Sequence, residues 1–363
     1  MAKTVRDKFK EASKAISEAN PVEADCSSKI DSSGRSPIIP IQPSKGSDHI
    51  IVSTGSTLLD LAISGERFDE GGIPGGILVE VFGPSGAGKT AILSEIAGNV
   101  QTAGGSVAFL DPEGRLDSEY ARIYGVDIDK TNYTQPDLVS DLFQFIREWE
   151  PENQDTNIPN GIFTDSLAAL STEMEMTGED KMGMRRAKEF SEGLRKTCRL
   201  IKKNNWLIVC SNQIRDGQMG TEVTPGGHGI PFYASLRIRI GPPAQNKYIK
   251  KTAKVSNRLQ EKIIGIKSNC IVKKSSVDIP FRSAEVFIVF NYGIDDIRGN
   301  LQYIKTTKGD TGYIVADKSY RSIEAAIRKV EDDDLAIGLK QDTIALWREV
   351  QEALHVTRKR KQR

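Results

Sequence analysis

The run Gly83-Pro84-Ser85-Gly86-Ala87-Gly88-Lys89-Thr90 has the residue types and spacing to grip a phosphate. Its form is G-x-x-x-x-G-K-T. The glycines let successive backbone N–H groups curl around a phosphate without side-chain clash. Lys89 would reach the β- and γ-phosphates as a point charge, and the Thr90 hydroxyl would hold Mg²⁺. The same letters also occur in ordinary glycine-rich turns, so the flanks decide. An apolar run, Ile77-Leu78-Val79-Glu80-Val81-Phe82, precedes the motif. Ile92, Leu93, Ile96, Ala97 and Val100 follow at helical spacing, with Gly104-Gly105 as a stop. Strand, glycine-rich turn and helix N-terminus are the context a phosphate-binding loop needs. The chain is expected to bind a nucleoside triphosphate.

Such a site needs acids. Ile162-Phe163-Thr164-Asp165 is an apolar strand ending in a carboxylate, and Asp165 there would face the loop across the strand ends and support the metal. Val107-Ala108-Phe109-Leu110-Asp111-Pro112-Glu113 is a second such strand. Glu113 is the candidate to orient or deprotonate an attacking water. Asp111 is either a solvated strand-end charge or a group bracing the site from behind, and the sequence leaves both open. A third strand, Leu207 to Gln213, ends in amides. The Gln213 amide can donate or accept without titrating, so it could report the presence of a γ-phosphate. Residues 214–227 are polar and glycine-rich without helix or strand periodicity. They are expected to be a mobile loop that couples nucleotide state to what it touches.

These residues need a scaffold, and the chain is long enough to supply one. It has 363 residues, 38% apolar and 27% charged, which suits a globular protein with one large α/β domain and small appendages. Strand-like runs at 77–82, 106–111, 160–165, 206–211, 234–240, 269–273 and 284–290 alternate with helical patterns at 56–63, 89–103, 117–124, 138–148 and 184–204. That alternation predicts a mostly parallel, twisted sheet with helices on both faces, spanning about 48–298. Residues 1–18 carry Val5, Phe9, Ala12 and Ile16 on one helical face, and 19–47 form a linker. Helical patterns at 321–330 and 341–354 place a small lobe in 299–363.

No apolar stretch is long enough to span a bilayer, and the N-terminal residues lack the apolar core of a secretory signal. None of the four cysteines forms a C-x-x-C pair, and Cys198 and Cys210 are expected to be buried thiols. The expected setting is cytoplasmic, without a membrane. The net charge of +1 excludes a polycation, so any nucleic-acid contact must come from local patches.

Taken together these elements resemble the bacterial RecA recombinases. The resemblance runs over roughly 50–298. It is carried by Val52 to Asp60, Gly71-Gly72-Ile73-Pro74, the phosphate loop, Phe109 to Gly125, Asp165 to Leu170, Met182-Gly183, Asn212-Gln213-Ile214-Arg215, Gly226-Gly227 and Phe232-Tyr233-Ala234-Ser235. It ends near Pro280-Phe281 and Ala284-Glu285. Asn-Gln-Ile-Arg followed by a Gly-Gly loop is far more specific than the phosphate loop alone.

The resemblance implies a RecA-like P-loop NTPase core, with ATP and Mg²⁺ between adjacent protomers. It further implies a helical homo-oligomeric filament on single-stranded DNA that pairs with homologous duplex DNA and exchanges strands, with DNA-stimulated ATP hydrolysis. By position Lys89, Glu113 and Gln213 are catalytic, and Thr90 and Asp165 hold the metal. Asp117, Tyr120 and Phe290 lie near adenine. Two DNA-binding loops follow, about Thr177 to Arg186 and Arg215 to Gly227. Their candidate contacts are Met182, Gly183, Arg185, Arg186, Arg215, Met219, Gly226 and Gly227. Met182 and Met219 are the wedge candidates, and ordinary packing is the other reading of both.

The chain also departs from the family. The second loop looks shorter, and Met184-Arg185-Arg186 places its basic residues one position early. The family's pair of lysines acting across the subunit interface appears as Lys273-Lys274, with only Lys273 in register. The end of the chain is basic, Arg358 to Arg363, where the family has an acidic tail. Such departures resemble phage-encoded or otherwise divergent members. Lys247, Lys250, Lys251, Lys254, Arg258, Lys262 and Lys267 face a single acid, Glu261, in a segment longer than the family's counterpart. It could hold phosphates of a second DNA strand or be a solvated hairpin. Two other functions share this core: a DNA-coating filament without productive exchange, and a hexameric helicase motor.

Overall fold

Apolar runs buried on both faces build the centre of the molecule. The computed structural model describes residues 50–178, 184–216, 222–242, 247–356 and 358. Its main sheet contains ten strands. They are β1 (Ile77–Gly83), β2 (Val107–Leu110), β3 (Thr131–Thr134), β4 (Gly161–Thr164), β5 (Leu207–Gln213), β6 (Leu236–Gly241), β7 (Tyr248–Val255), β8 (Arg258–Ser275), β9 (Ser283–Val289) and β10 (Gly293–Ile294). The order is β10-β9-β8-β6-β1-β5-β4-β2-β3, with β7 paired to β8 off this path. From β6 to β3 every pairing is parallel. From β6 through β8 and β9 to β10 every pairing is antiparallel.

The parallel strands have helices on both sides. On one face α1 (Thr57–Ser64) and α2 (Lys89–Thr102) pack Leu59, Ile63, Ile92, Leu93, Ile96 and Val100 against Val79, Val81 and Val209. On the other, α4 (Val139–Glu148) and α5 (Met184–Lys203) bring Leu142, Phe143, Phe190, Leu194 and Ile201 to Leu78, Ile162 and Ile208. The short α3 (Ser118–Ile123) follows β2 and is capped by Asp117. This is the layered arrangement that buries each sheet face under amphipathic helices. Cys210 is buried within it, whereas Cys198, expected to be buried, is only half-buried on α5.

The strand expected at 269–273 is the inner part of β8, which has 18 residues. Helix α6 (Asp296–Lys308) was not expected. Its N-cap Asp295 accepts from the Arg298 N–H, and Gly309 ends it at a φ of 71°. With α7 (Ile323–Asp332), α8 (Ala336–Ala353) and a hairpin of Tyr313–Val315 and Lys318–Tyr320, it encloses a separate cluster of Leu301, Ile304, Val315, Ala326, Val330 and Leu339. Ile344 and Trp347 of α8 rest on Leu61 of α1. Among the described residues no helix is long and apolar enough to cross a membrane. The expected N-terminal helix and linker, 1–47, and the basic residues after Arg358 lie outside the described residues.

Candidate nucleotide site and candidate DNA contacts

The phosphate loop leaves the C-terminal end of β1, and the chain enters α2 at Lys89. Gly88 occupies the N-cap position with φ of 94°, a conformation that L side chains rarely adopt. A Cβ there would also lie 2.4 Å from Ile288 Cδ1. The Lys89 ammonium is held by the carbonyls of Gly83 at 3.0 Å and Pro84 at 2.9 Å. Burial pulls its pKa below the ordinary lysine value, opposed by the charges of Asp165 and Glu113. A partly desolvated cation of this kind is attracted more strongly by a phosphate than one in bulk water.

The neighbouring strand ends supply the acids. Asp165 follows β4, and its Oδ2 accepts the Thr90 hydroxyl at 2.5 Å. Its Oδ1 accepts from the Ser211 hydroxyl on β5. Two hard carboxylate oxygens beside a threonine hydroxyl fit Mg²⁺, which takes one or two protein oxygens and completes its shell with waters and phosphates. The Asp165–Ser166 peptide bond is cis. Ser166 donates to Glu113 Oε1 at 2.6 Å, and Arg115 pairs with Glu113 Oε2 at 2.5 Å. Thr90, Asp165, Ser166 and Glu113 thus form one connected row.

Asp111 is buried, not solvated. Its Oδ2 accepts from the Leu116 N–H at 2.7 Å and from the Tyr133 hydroxyl at 3.0 Å. It therefore folds the turn that presents Glu113. Gln213 ends β5 directly opposite Gly83 and is exposed. The amide before it, Asn212, is buried and donates to Glu80 Oε1 and to the Pro225 carbonyl, both at 3.0 Å. Glu80 is fully buried and pairs with Arg237 at 2.5 Å. Arg237 also lies 4.5 Å from the centroid of the Phe82 ring. Sequence reading missed the Glu80–Arg237–Asn212 group, whose only signal was a carboxylate inside an apolar strand.

The RecA N-terminal domain family matches residues 24–295. Protein RecA of Phytoplasma mali (strain AT) is 34% identical over 258 residues, 68% of this chain and 69% of that protein. Protein RecA of Sulfurimonas denitrificans is 36% identical over 255 residues, 67% of each chain. Protein RecA of Acholeplasma laidlawii (strain PG-8A) is 35% identical over 258 residues, covering 69% of this chain and 72% of its own. The chain belongs to the RecA family. Its general role is that of a RecA-type protein of DNA recombination and repair, which binds ATP and DNA.

Of the residues expected near adenine, Asp117 is the cap of α3 and accepts from the Tyr120 N–H at 2.7 Å. The Tyr120 ring lies 4.9 Å from that of Tyr124, centroid to centroid. Burial, and then the hydrogen bond with Tyr124, push the Tyr120 phenol well above its usual pKa, so it stays neutral. Phe290, just after β9, is exposed.

The two lysines considered for a subunit interface, Lys273 and Lys274, differ in kind. The Lys274 ammonium donates to the carbonyls of Pro231 at 2.9 Å and Phe232 at 2.7 Å. Burial and then the charge of Arg237 lower its pKa. Lys273 is exposed and sits where the register of β8 against β6 shifts.

The candidate DNA contacts are also divided. Met182, Gly183 and Met219 lie outside the described residues. Arg185 pairs with Glu189 along α5 at 3.1 Å. Arg186 turns inward, donating to the carbonyls of Ala168 at 3.3 Å and Leu170 at 3.1 Å. Arg215 is exposed at the base of the second loop, where Arg215–Asp216 pairs with Glu222–Val223. That stem is a β-ribbon the sequence pattern did not suggest. Gly226 and Gly227 have φ of 96° and 68°. A Cβ on Gly226 would meet Ile230 at 2.6 Å, and one on Gly227 would meet Ala187 at 2.7 Å. These two glycines let the loop's exit pass close against α5 and the following turn.

Proposed function

We propose that this chain is an ATP-dependent recombinase that polymerises on single-stranded DNA and promotes homologous pairing and strand exchange. The observation that carries the reading is the row Thr90–Asp165–Ser166–Glu113, set beside Gln213 at the mouth of the 214–227 loop. Mg²⁺ held by Thr90 and Asp165 would neutralise charge on the phosphates. Lys89 binds the β- and γ-phosphates. Glu113, oriented by Ser166 and Arg115, positions the attacking water and accepts its proton as the β–γ phosphoanhydride bond breaks and ADP leaves. Gln213 contacts the γ-phosphate and passes its presence to the loop that holds DNA. In this reading Asp117, Tyr120 and Phe290 bound the adenine, and Lys273 reaches the neighbouring protomer. Residues 1–47 would dock on that neighbour, and 299–363 would form a separate lobe.

Joint-molecule formation tests the proposal. A labelled single strand should form ATP-dependent D-loops with a homologous supercoiled duplex and none with a heterologous one. ATP-dependent coating of the strand with no homologous joints would leave only a DNA-coating filament. Processive unwinding in one polarity would indicate a helicase.

A further inference from the structure

β7 and β8 extend well beyond the rest of the sheet. The pairing of β9 with β8 stops at Gly265, and that of β6 stops at Asn269. Outward from there, residues 250–263 pair only with each other and are exposed on both faces. Six cross-strand pairs at about 3.4 Å per residue make a free ribbon roughly 20 Å long. Ser256 and Asn257, with φ of 49° and 68°, close it in the two-residue turn that suits a twisted hairpin. The inner part of β8 braces the nucleotide site, where Ser268 donates to the Ala87 carbonyl of the phosphate loop at 2.7 Å. Because β8 runs antiparallel to β6, the ribbon leaves from the C-terminal edge of the parallel strands. That edge also carries Glu113, Asp165 and Gln213.

The register sorts the ribbon's charges by face. Lys251 pairs with Lys262, Ala253 with Gln260 and Val255 with Arg258, so these six share one face. That face has three cations and no acid. The opposite face is mixed, with Lys250 bound to Glu261 at 2.8 Å and with Leu259 and Ile263 beside them. Like charges directly across a ladder destabilise it, and Lys251 and Lys262 are such a pair. A ribbon serving solubility alone would mix its signs on both faces. The cationic face carries no aromatic ring on which an unpaired base could stack, so it suits phosphates rather than bases.

We propose that the face bearing Lys251, Arg258 and Lys262 binds the phosphate backbone of double-stranded DNA. It is a contact surface additional to the loops at 177–186 and 215–227. The proposal rests on the DNA-binding reading above and assigns it a separate element.

The test uses the full chain and a short fluorescent duplex, with affinity measured by anisotropy across a salt series. The variant Lys251→Ala/Arg258→Ala/Lys262→Ala should lose at least about tenfold in duplex affinity near physiological salt. Its slope of log K against log salt should shrink by about two to three. ATP-dependent coating of single-stranded DNA should stay within about twofold of wild type. Lys250→Ala/Lys254→Ala, on the other face, should change the slope by less than about one. The proposal is overturned by unchanged affinity and slope in the triple variant, by an equal loss in the other-face variant, or by a wild-type chain that binds no duplex. Retained duplex affinity with lost binding of a polyglutamate probe would assign the face to an acidic polypeptide and also overturns it. A chain that fails to coat single strands, while the triple variant still loses duplex affinity, refutes the filament reading and upholds the ribbon.

Discussion

Ser166 donates its hydroxyl hydrogen to Glu113 at 2.6 Å, while the residue before it, Asp165, accepts from Thr90 at 2.5 Å. In the proposed mechanism the metal side and the water side of the site are therefore set by two consecutive residues after one strand. Glu113→Gln should keep ATP and DNA binding but lower kcat by at least about 100-fold, since the amide accepts no proton. Ser166→Ala leaves the carboxylate in place with one tether fewer, and kcat should fall by about tenfold with KM little changed. Phosphate release under saturating single-stranded DNA reads both. An unaltered rate in Ser166→Ala would mean that Arg115 alone orients Glu113.

Asp165→Asn should act on the metal instead. The amide keeps one oxygen but loses the charge, while Thr90 and Ser211 can both rotate their hydroxyls to suit it. The Mg²⁺ concentration that half-activates hydrolysis should rise by about tenfold, with much of kcat recovered at high Mg²⁺. A normal Mg²⁺ midpoint would remove Asp165 from the metal site.

Asn212 joins the start of the second loop to its end, through Gln213 on one side and the Pro225 carbonyl on the other. Asn212→Ala should leave DNA-independent hydrolysis within about threefold of wild type but cut its stimulation by single-stranded DNA by about tenfold. Equal loss of both rates would point to misfolding. Glu80→Gln, which leaves the Arg237 charge poorly compensated, should instead lower stability by about 3 kcal/mol, seen as a reduced midpoint in urea.

The parallel half of the sheet was legible because strands buried on both faces are continuous apolar runs, as in Ile77–Gly83 and Leu207–Gln213. The positions of the phosphate-loop motif, Glu113 and Asp165 at strand ends were legible because they close such runs. β3, Thr131–Thr134, escaped because a polar edge strand has no apolar period. The ribbon at 250–263 stayed ambiguous for the same reason, being wet on both faces. Ser166 and Ser211 were invisible as site residues because a hydroxyl's role depends on partners 53 and 46 residues away in sequence. Arg186 was grouped with the DNA contacts because spacing does not say whether a long side chain turns inward.

Asp60 on α1 gives a prediction about pH. Its carboxylate accepts from the Thr54 N–H and hydroxyl, both at 2.7 Å, and from Ser53 at 2.5 Å. Those donors favour the charged form, but burial outweighs them and raises the pKa from 3.8 to about 6. Between those values the folded chain holds a proton that the unfolded chain has lost, so stability from this group is full below the lower value and declines as pH rises through the upper one. A rise from 3.8 to about 6 corresponds to roughly 3 kcal/mol. Asp60→Asn mimics the protonated acid: its carbonyl serves Thr54, and the Ser53 hydroxyl can turn to accept from its amide. The variant should match wild type in melting temperature near about pH 4 and exceed it above about pH 7. A melting-temperature difference that stays constant across that range would show that Asp60 does not carry its proton into the folded state.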